Sequence, residues 1–100
     1  MTKHIVMWRL KDFTNGTNKE ENAKKLKSLL ESLKGKINEI RRIEVGININ
    51  PSNAAFDVVL YSEFDSLSDL EAYQKHPEHL KIVNFVNEVR SERGVVDYEV

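Results

Sequence analysis

Arg41–Phe64 reads RRIEVGININPSNAAFDVVLYSEF, and its two halves both repeat with a period of two. Ile43, Val45, Ile47 and Ile49 alternate with Arg42, Glu44, Gly46 and Asn48, so a strand is expected over about Arg41–Asn50. Phe56, Val58, Leu60 and Phe64 alternate with Asp57, Val59, Tyr61 and Glu63, which predicts a second strand over Phe56–Phe64. Between them Asn50–Ala54 contains Pro51 and reads as a turn. The centre of the chain is therefore a pair of adjacent strands. What flanks the pair decides the fold.

Toward the N-terminus, Lys19–Lys34 has a helical period. Ala23, Leu26, Leu29, Leu30 and Leu33 fall within an arc of about 120° at 100° per residue. Glu20 with Lys24 and Glu21 with Lys25 are i,i+4 pairs in the favourable order, and Gly35 is expected as a left-handed stop. Asp12–Asn18 reads as a loop around Gly16. Before it, His4–Leu10 alternates His4, Val6, Trp8 and Leu10 against Ile5, Met7 and Arg9, a further strand.

Toward the C-terminus, Ser66 with Asp69 forms a capping-box variant ahead of a helix carrying Leu67, Leu70 and Tyr73. Pro77 interrupts that helix and suits the first turn of a new one. The new piece is expected to run to about Glu92 and stop near Gly94, leaving Val95–Val100 as a last strand. The order β-α-β-β-α-β is the ferredoxin-like, α+β pattern, one domain over residues 1–100, with both helices on one face of an antiparallel sheet. The other face would carry Ile5, Met7, Val59 and Tyr61 beside Arg9 and Asp57. That face is too apolar for water, so a second copy is expected to cover it as a homodimer.

Composition excludes several functions. Fifteen basic against sixteen acidic residues give a net charge of −1, which argues against a nucleic-acid partner. Lys24, Lys25, Lys27 and Lys34 alternate with Glu20, Glu21 and Glu31, as on a solvated helix face. The absence of cysteine removes disulfides, thiolate catalysis and cysteine-bound metal or iron–sulfur sites. No apolar run suits a membrane span and no signal peptide is evident, so a cytoplasmic protein is expected. With four glycines and no phosphate loop, nucleophile elbow or Walker motif, nucleotide binding by such loops is not expected.

The chemistry-bearing segment is Tyr73-Gln-Lys-His76-Pro77-Glu78-His79. His79 shares a helical stripe with Ile82, Val83 and Val86, so it points inward, and burial should leave it neutral at pH 7. It needs a hydrogen-bond partner, and the Tyr73 hydroxyl is one within reach. His4 is expected to face the same region, with Val6 and Trp8 as pocket wall. A neutral histidine and a tyrosine around an apolar pocket suit proton abstraction next to a carbonyl, with the phenol O–H steadying the oxyanion. The competing reading is structural: a histidine bonded to a tyrosine or a carbonyl is a common packing solution. His76 and His79 with Glu78 fall short of the three or four convergent ligands of a metal site, and no haem-specific spacing accompanies the histidines. No metal and no cofactor are expected.

HIVMWRLKD (His4–Asp12), IEVGININPSNAAFDVVLYSEFDS (Ile43–Ser66) and LEAYQKHPEHLKIVNFVNEVRSERGVVDYEV (Leu70–Val100) together resemble the stress-responsive dimeric α/β-barrel (Dabb) domain family over essentially the whole chain. Tyr-x-x-His-Pro-x-His and the closing Val-Asp-Tyr are the most specific parts. The resemblance implies a ferredoxin-like protomer whose sheet packs on the partner's to make a barrel, with the strand and helix histidines approaching one cavity. It is similar in the same segment to a plant polyketide cyclase of that family, which implies His79 as base, Tyr73 as carbonyl-orienting donor and His4 as a pocket residue. On this reading the ligand is a small apolar, acyl or aromatic molecule. The alternative is a non-catalytic dimeric stress or ligand-sensing protein in which these residues are structural.

Overall fold

The computed structural model describes residues 1–100. Strand β1 (Thr2–Leu10) leads into a small hairpin, β2 (Phe13–Thr14) and β3 (Thr17–Asn18), then helix α1 (Lys19–Glu31). Strands β4 (Arg42–Ile47) and β5 (Val58–Phe64) follow, then helices α2 (Leu67–Lys75) and α3 (Pro77–Val89), then strand β6 (Arg90–Glu99). The sheet order is β4-β5-β1-β6 with every neighbour antiparallel, the ferredoxin-like arrangement. The backbone N–H of Val100 donates to the carbonyl of Met1, so β1 is paired with β6 to its very start.

The helices lie on the sheet face carrying Val6, Trp8, Leu10, Val45, Val58, Leu60 and Phe64, all buried. Ala23, Leu26 and Leu30 close that core from α1 and Leu33 from the turn after it, and Leu70, Tyr73, Ile82, Val86 and Val89 from α2 and α3. On the opposite face, register sets Ile5 between Tyr61 and Val96, and Met7 between Val59 and Gly94. Met7, Val59, Val96 and Tyr98 are exposed there.

Several boundaries differ from expectation. The Asp12–Asn18 loop is a hairpin because Asn15 (φ 52°) and Gly16 (φ 80°) adopt the paired left-handed conformations of a type I′ turn. Gly35 is not left-handed. The helix instead tightens into a 3₁₀ turn over Ser32–Gly35, in which the Leu33 carbonyl accepts from both Lys36 and Ile37. The first strand of the central pair, expected to reach Asn50, stops at Ile47, and Ile49 is 98% exposed. Asn side chains capture the backbone there: the N–H of Asn50 donates to Asn48 Oδ1, and that of Ser52 to Asn50 Oδ1. Asp57 falls outside β5, where its carboxylate accepts from the N–H of Leu10. The last helix ends at Val89, not near Glu92, because Arg90 turns extended and pairs with Leu10, so ladder pairing along β1 overrides the helical pattern.

Candidate functional site

His4, Tyr73 and His79 come together from three elements. His4 sits near the start of β1 on the helix-covered face and is 3% exposed. Opposite it on β6 is Asp97, and His4 Nδ1 lies 2.5 Å from Asp97 Oδ1. Tyr73 is in the last turns of α2 and fully buried. Its ring centroid lies 6.2 Å from that of His4, 5.1 Å from Phe64 and 4.6 Å from His79.

The proline break between α2 and α3 sets up His79. Pro77 has no N–H, and the N–H of Glu78 donates to the Nδ1 of His76, whose side chain caps α3. The Gln74 carbonyl, which Glu78 would have satisfied in an unbroken helix, is thereby free. His79 Nδ1 donates to it at 3.0 Å. The expected His79–Tyr73 hydrogen bond is not formed: the imidazole Nδ1 bonds the Gln74 carbonyl, and the two rings meet in a tilted contact.

These partners orient both rings. His4 gives its Nδ1–H to Asp97, and with Nδ1–H given to the Gln74 carbonyl the His79 imidazole keeps Nε2 as its lone-pair nitrogen. Burial lowers the His79 pKa from its ordinary value, and the nearby charges of His4, Arg93 and His76 lower it further against the Gln74 bond. His79 is accordingly a neutral imidazole at pH 7, able to accept a proton. Burial pushes the Tyr73 phenol above its usual range, so the hydroxyl stays protonated. That hydroxyl is buried and has no hydrogen-bond partner in the protein. A buried donor without an acceptor costs about 1–3 kcal/mol, so its retention between two histidines needs a reason.

The remaining candidate residues divide. Trp8, Ile82, Val83 and Val86 line a cleft of about 320 Å³ with Asn87, Arg90 and Arg93. The cleft begins one turn along α3 from His79, on the same stripe, while His4, Tyr73 and His79 themselves lie outside its lining. Val6 does not reach the cleft. Its side chain is core, 1% exposed. A larger concavity of about 480 Å³ lies on the uncovered sheet face and the β4–β5 loop, walled by Met7, Ile47, Phe56 and Val59. Sequence reasoning missed Asp97, Arg90 and Arg93. Antiparallel pairing of the first and last strands was the signal for Asp97. The two arginines were hidden by the misplaced end of α3.

No helix is long and apolar enough to cross a membrane. A family described as a stress responsive A/B barrel domain matches residues 2–100. Among solved structures, a dimeric ferredoxin-like protein of unknown function from Bacteroides fragilis is 39% identical, with a TM-score of 0.85 over 99% of this chain and 95% of that one. A dimeric ferredoxin-like protein of unknown function from Thermobifida fusca is 20% identical, with a TM-score of 0.84 over 99% and 90% of the two chains. The hydroxynitrile lyase of Passiflora edulis is 17% identical, with a TM-score of 0.82 over 99% and 92%. In the last two the likeness is one of fold. No curated protein matches the chain.

Proposed function

The chain belongs to the stress responsive A/B barrel domain family, and from that premise we propose that it binds a small apolar, acyl or aromatic carbonyl compound beside His79 and removes a proton next to the carbonyl. The observation that carries this is the buried Tyr73 hydroxyl, protonated and unpartnered, on a ring that packs beside two histidines whose Nδ1 atoms are already hydrogen-bonded. His79 Nε2 takes the proton, the Tyr73 O–H donates to the oxygen on which negative charge develops, and His4, held by Asp97, keeps the second polar wall in place. A solved neighbour with this fold is named a hydroxynitrile lyase, so the fold is compatible with lyase chemistry.

The working form we infer is a C2 homodimer through the uncovered sheet face. Met7, Val59, Val96 and Tyr98 form a contiguous apolar surface there, and the 39%-identical relative is dimeric. The site itself lies on the other side of the sheet.

The test is a thermal-shift screen of wild type, His79→Gln and Tyr73→Phe against acyl thioesters, aromatic acids and quinones, followed by solvent-deuterium exchange into any compound that binds. A compound that stabilises wild type and exchanges its carbonyl-adjacent proton only when His79 is present supports the reading. Stabilisation equal in all three proteins, with no exchange, overturns it in favour of a structural role for the cluster.

A further inference from the structure

The ladder between β1 and β6 slips by one residue where β6 begins. Trp8 faces Arg93 and Arg9 faces Glu92, but Leu10 faces Arg90, so Ser91 is an extra residue on the β6 side. Arg90 and Arg93 are three residues apart, and in a regular strand they would point to opposite faces. The bulge returns Arg90 to the helix-covered face that Arg93 already shares, a re-aiming that bulges commonly perform beside functional sites. Both side chains then line the cleft with Trp8, Ile82, Val83 and Val86.

The chain has five arginines. Arg9, Arg41 and Arg42 are each within ion-pair distance of a carboxylate, namely Glu92, Asp65 and Glu44. Arg90 and Arg93 have none. The only polar side-chain contact of Arg90 is Nε donating to Asn87 Oδ1 at 3.4 Å, which leaves the outer guanidinium nitrogens free and turns the Asn87 amide NH₂ into a further donor. Trp8 is buried, and its indole N–H has no acceptor in the protein. An apolar cleft thus carries two guanidinium groups with no acidic partner beside the Asn87 amide NH₂, and one of its wall residues, Trp8, holds an unsatisfied indole N–H.

We propose that Arg90 and Arg93 form the anchor for the carboxylate of a small apolar acid whose hydrocarbon body lies along Trp8, Ile82, Val83 and Val86. This deepens the proposed function, since it rests on the reading that small apolar molecules bind along α3. Planar guanidinium forks match a carboxylate and give the strongest hydrogen bonds a surface site offers. An engineered cavity of about 150 Å³ suffices for benzene, so the cleft has room for a phenyl ring with an aliphatic tether. Asn87 lies eight residues beyond His79 on α3, about 12 Å along the helix axis. An acid anchored at the arginines therefore extends its far end toward His79.

The experiment titrates the protein with 4-phenylbutanoate, its methyl ester and 4-phenylbutyl phosphate. It uses calorimetry and the emission of Trp8, the only tryptophan, excited beyond the phenyl absorption. The expected result is that the acid binds about tenfold or more tightly than the ester, shifts Trp8 emission, weakens with added salt, and loses that advantage in Arg93→Gln and in Arg90→Gln. Circular dichroism confirms that both variants fold. Equal binding of acid and ester overturns the anchor while leaving the apolar site intact. Binding of the phosphate more than tenfold tighter than the acid overturns the carboxylate assignment. Failure of all three to bind overturns both the anchor and the pocket. Acid binding lost in Arg93→Gln but unchanged in His79→Gln supports the anchor on its own, whatever becomes of proton abstraction.

Discussion

Replacing Tyr73 by phenylalanine removes one oxygen and leaves every ring contact in place. The phenylalanine ring still meets Phe64, His4 and His79, whose centroids lie 5.1, 6.2 and 4.6 Å away. The oxygen itself is fully buried without a partner, and holding such a donor away from water costs about 1–3 kcal/mol. A buried tyrosine that gives a hydrogen bond loses stability when truncated, whereas this one should gain it. Taking the lower end, Tyr73→Phe raises stability by about 1 kcal/mol, and for a chain of this length that lifts the midpoint by about 4–8 °C. The assay is thermal unfolding followed by circular dichroism for both proteins at one fixed protomer concentration, since a dimer's midpoint depends on concentration. The same variant should lose proton exchange into bound ligand, so that stability and activity move in opposite directions. A midpoint that falls by 4 °C or more would refute the reasoning. It would mean that the hydroxyl has a partner, such as a bound water, and that it is part of the packing.

His79 sets a pH dependence. Its pKa in the folded chain is depressed, chiefly by burial, so between that value and the ordinary 6.5 the unfolded chain binds the extra proton. Stability should therefore fall as pH drops below 6.5 and level off once the folded imidazole also protonates. His79→Gln should flatten that segment of a pH series of denaturant midpoints, and an unchanged slope would remove His79 as its source. Val59→Lys places a charge in the middle of the uncovered face and should shift sedimentation from dimer to monomer with the far-ultraviolet spectrum retained. A dimer unaffected by it would move the interface elsewhere. Leu26→Ala opens a cavity at a fully buried position on α1 and should cost about 2–5 kcal/mol, read as a lowered urea midpoint at unchanged slope. A loss under 1 kcal/mol would mean that the core collapses around the gap.

The fold was legible because its period-two and helical segments are long and bounded by strong punctuation. Ile43 to Phe64 alternates around Pro51, and Ser66 and Pro77 start their helices as expected. Boundaries set by long-range pairing were not legible. Residues Arg90 to Glu92 have no local reason to leave the helix, and only β1, some eighty residues earlier, provides the ladder that draws them out. The same holds at the site. Residue type and the helical stripe drew attention to His79 and Tyr73, but the Gln74 carbonyl that orients His79 exists only because Glu78 turns to His76 instead. Asp97 and the arginine pair depend on strand register and on a single extra residue, neither of which a local pattern encodes.

The place of β1 in the sheet order has a consequence for synthesis. It lies between β5 and β6, with residues 90–99 supplying one whole flank. During translation β1 is made before both of its sheet neighbours, yet that flank stays bare after β5 is complete until some thirty-five further residues are made, on the order of seconds at about 5–20 residues per second. For that interval a nine-residue strand offers an unfilled row of N–H and C=O groups to any other extended chain nearby. Lys3 and Arg9 near its two ends are charges of the kind that discourage such pairing. Nascent chains of this protein are therefore most exposed to mispairing between the completion of β5 and that of β6, and chaperone dependence should be sought there.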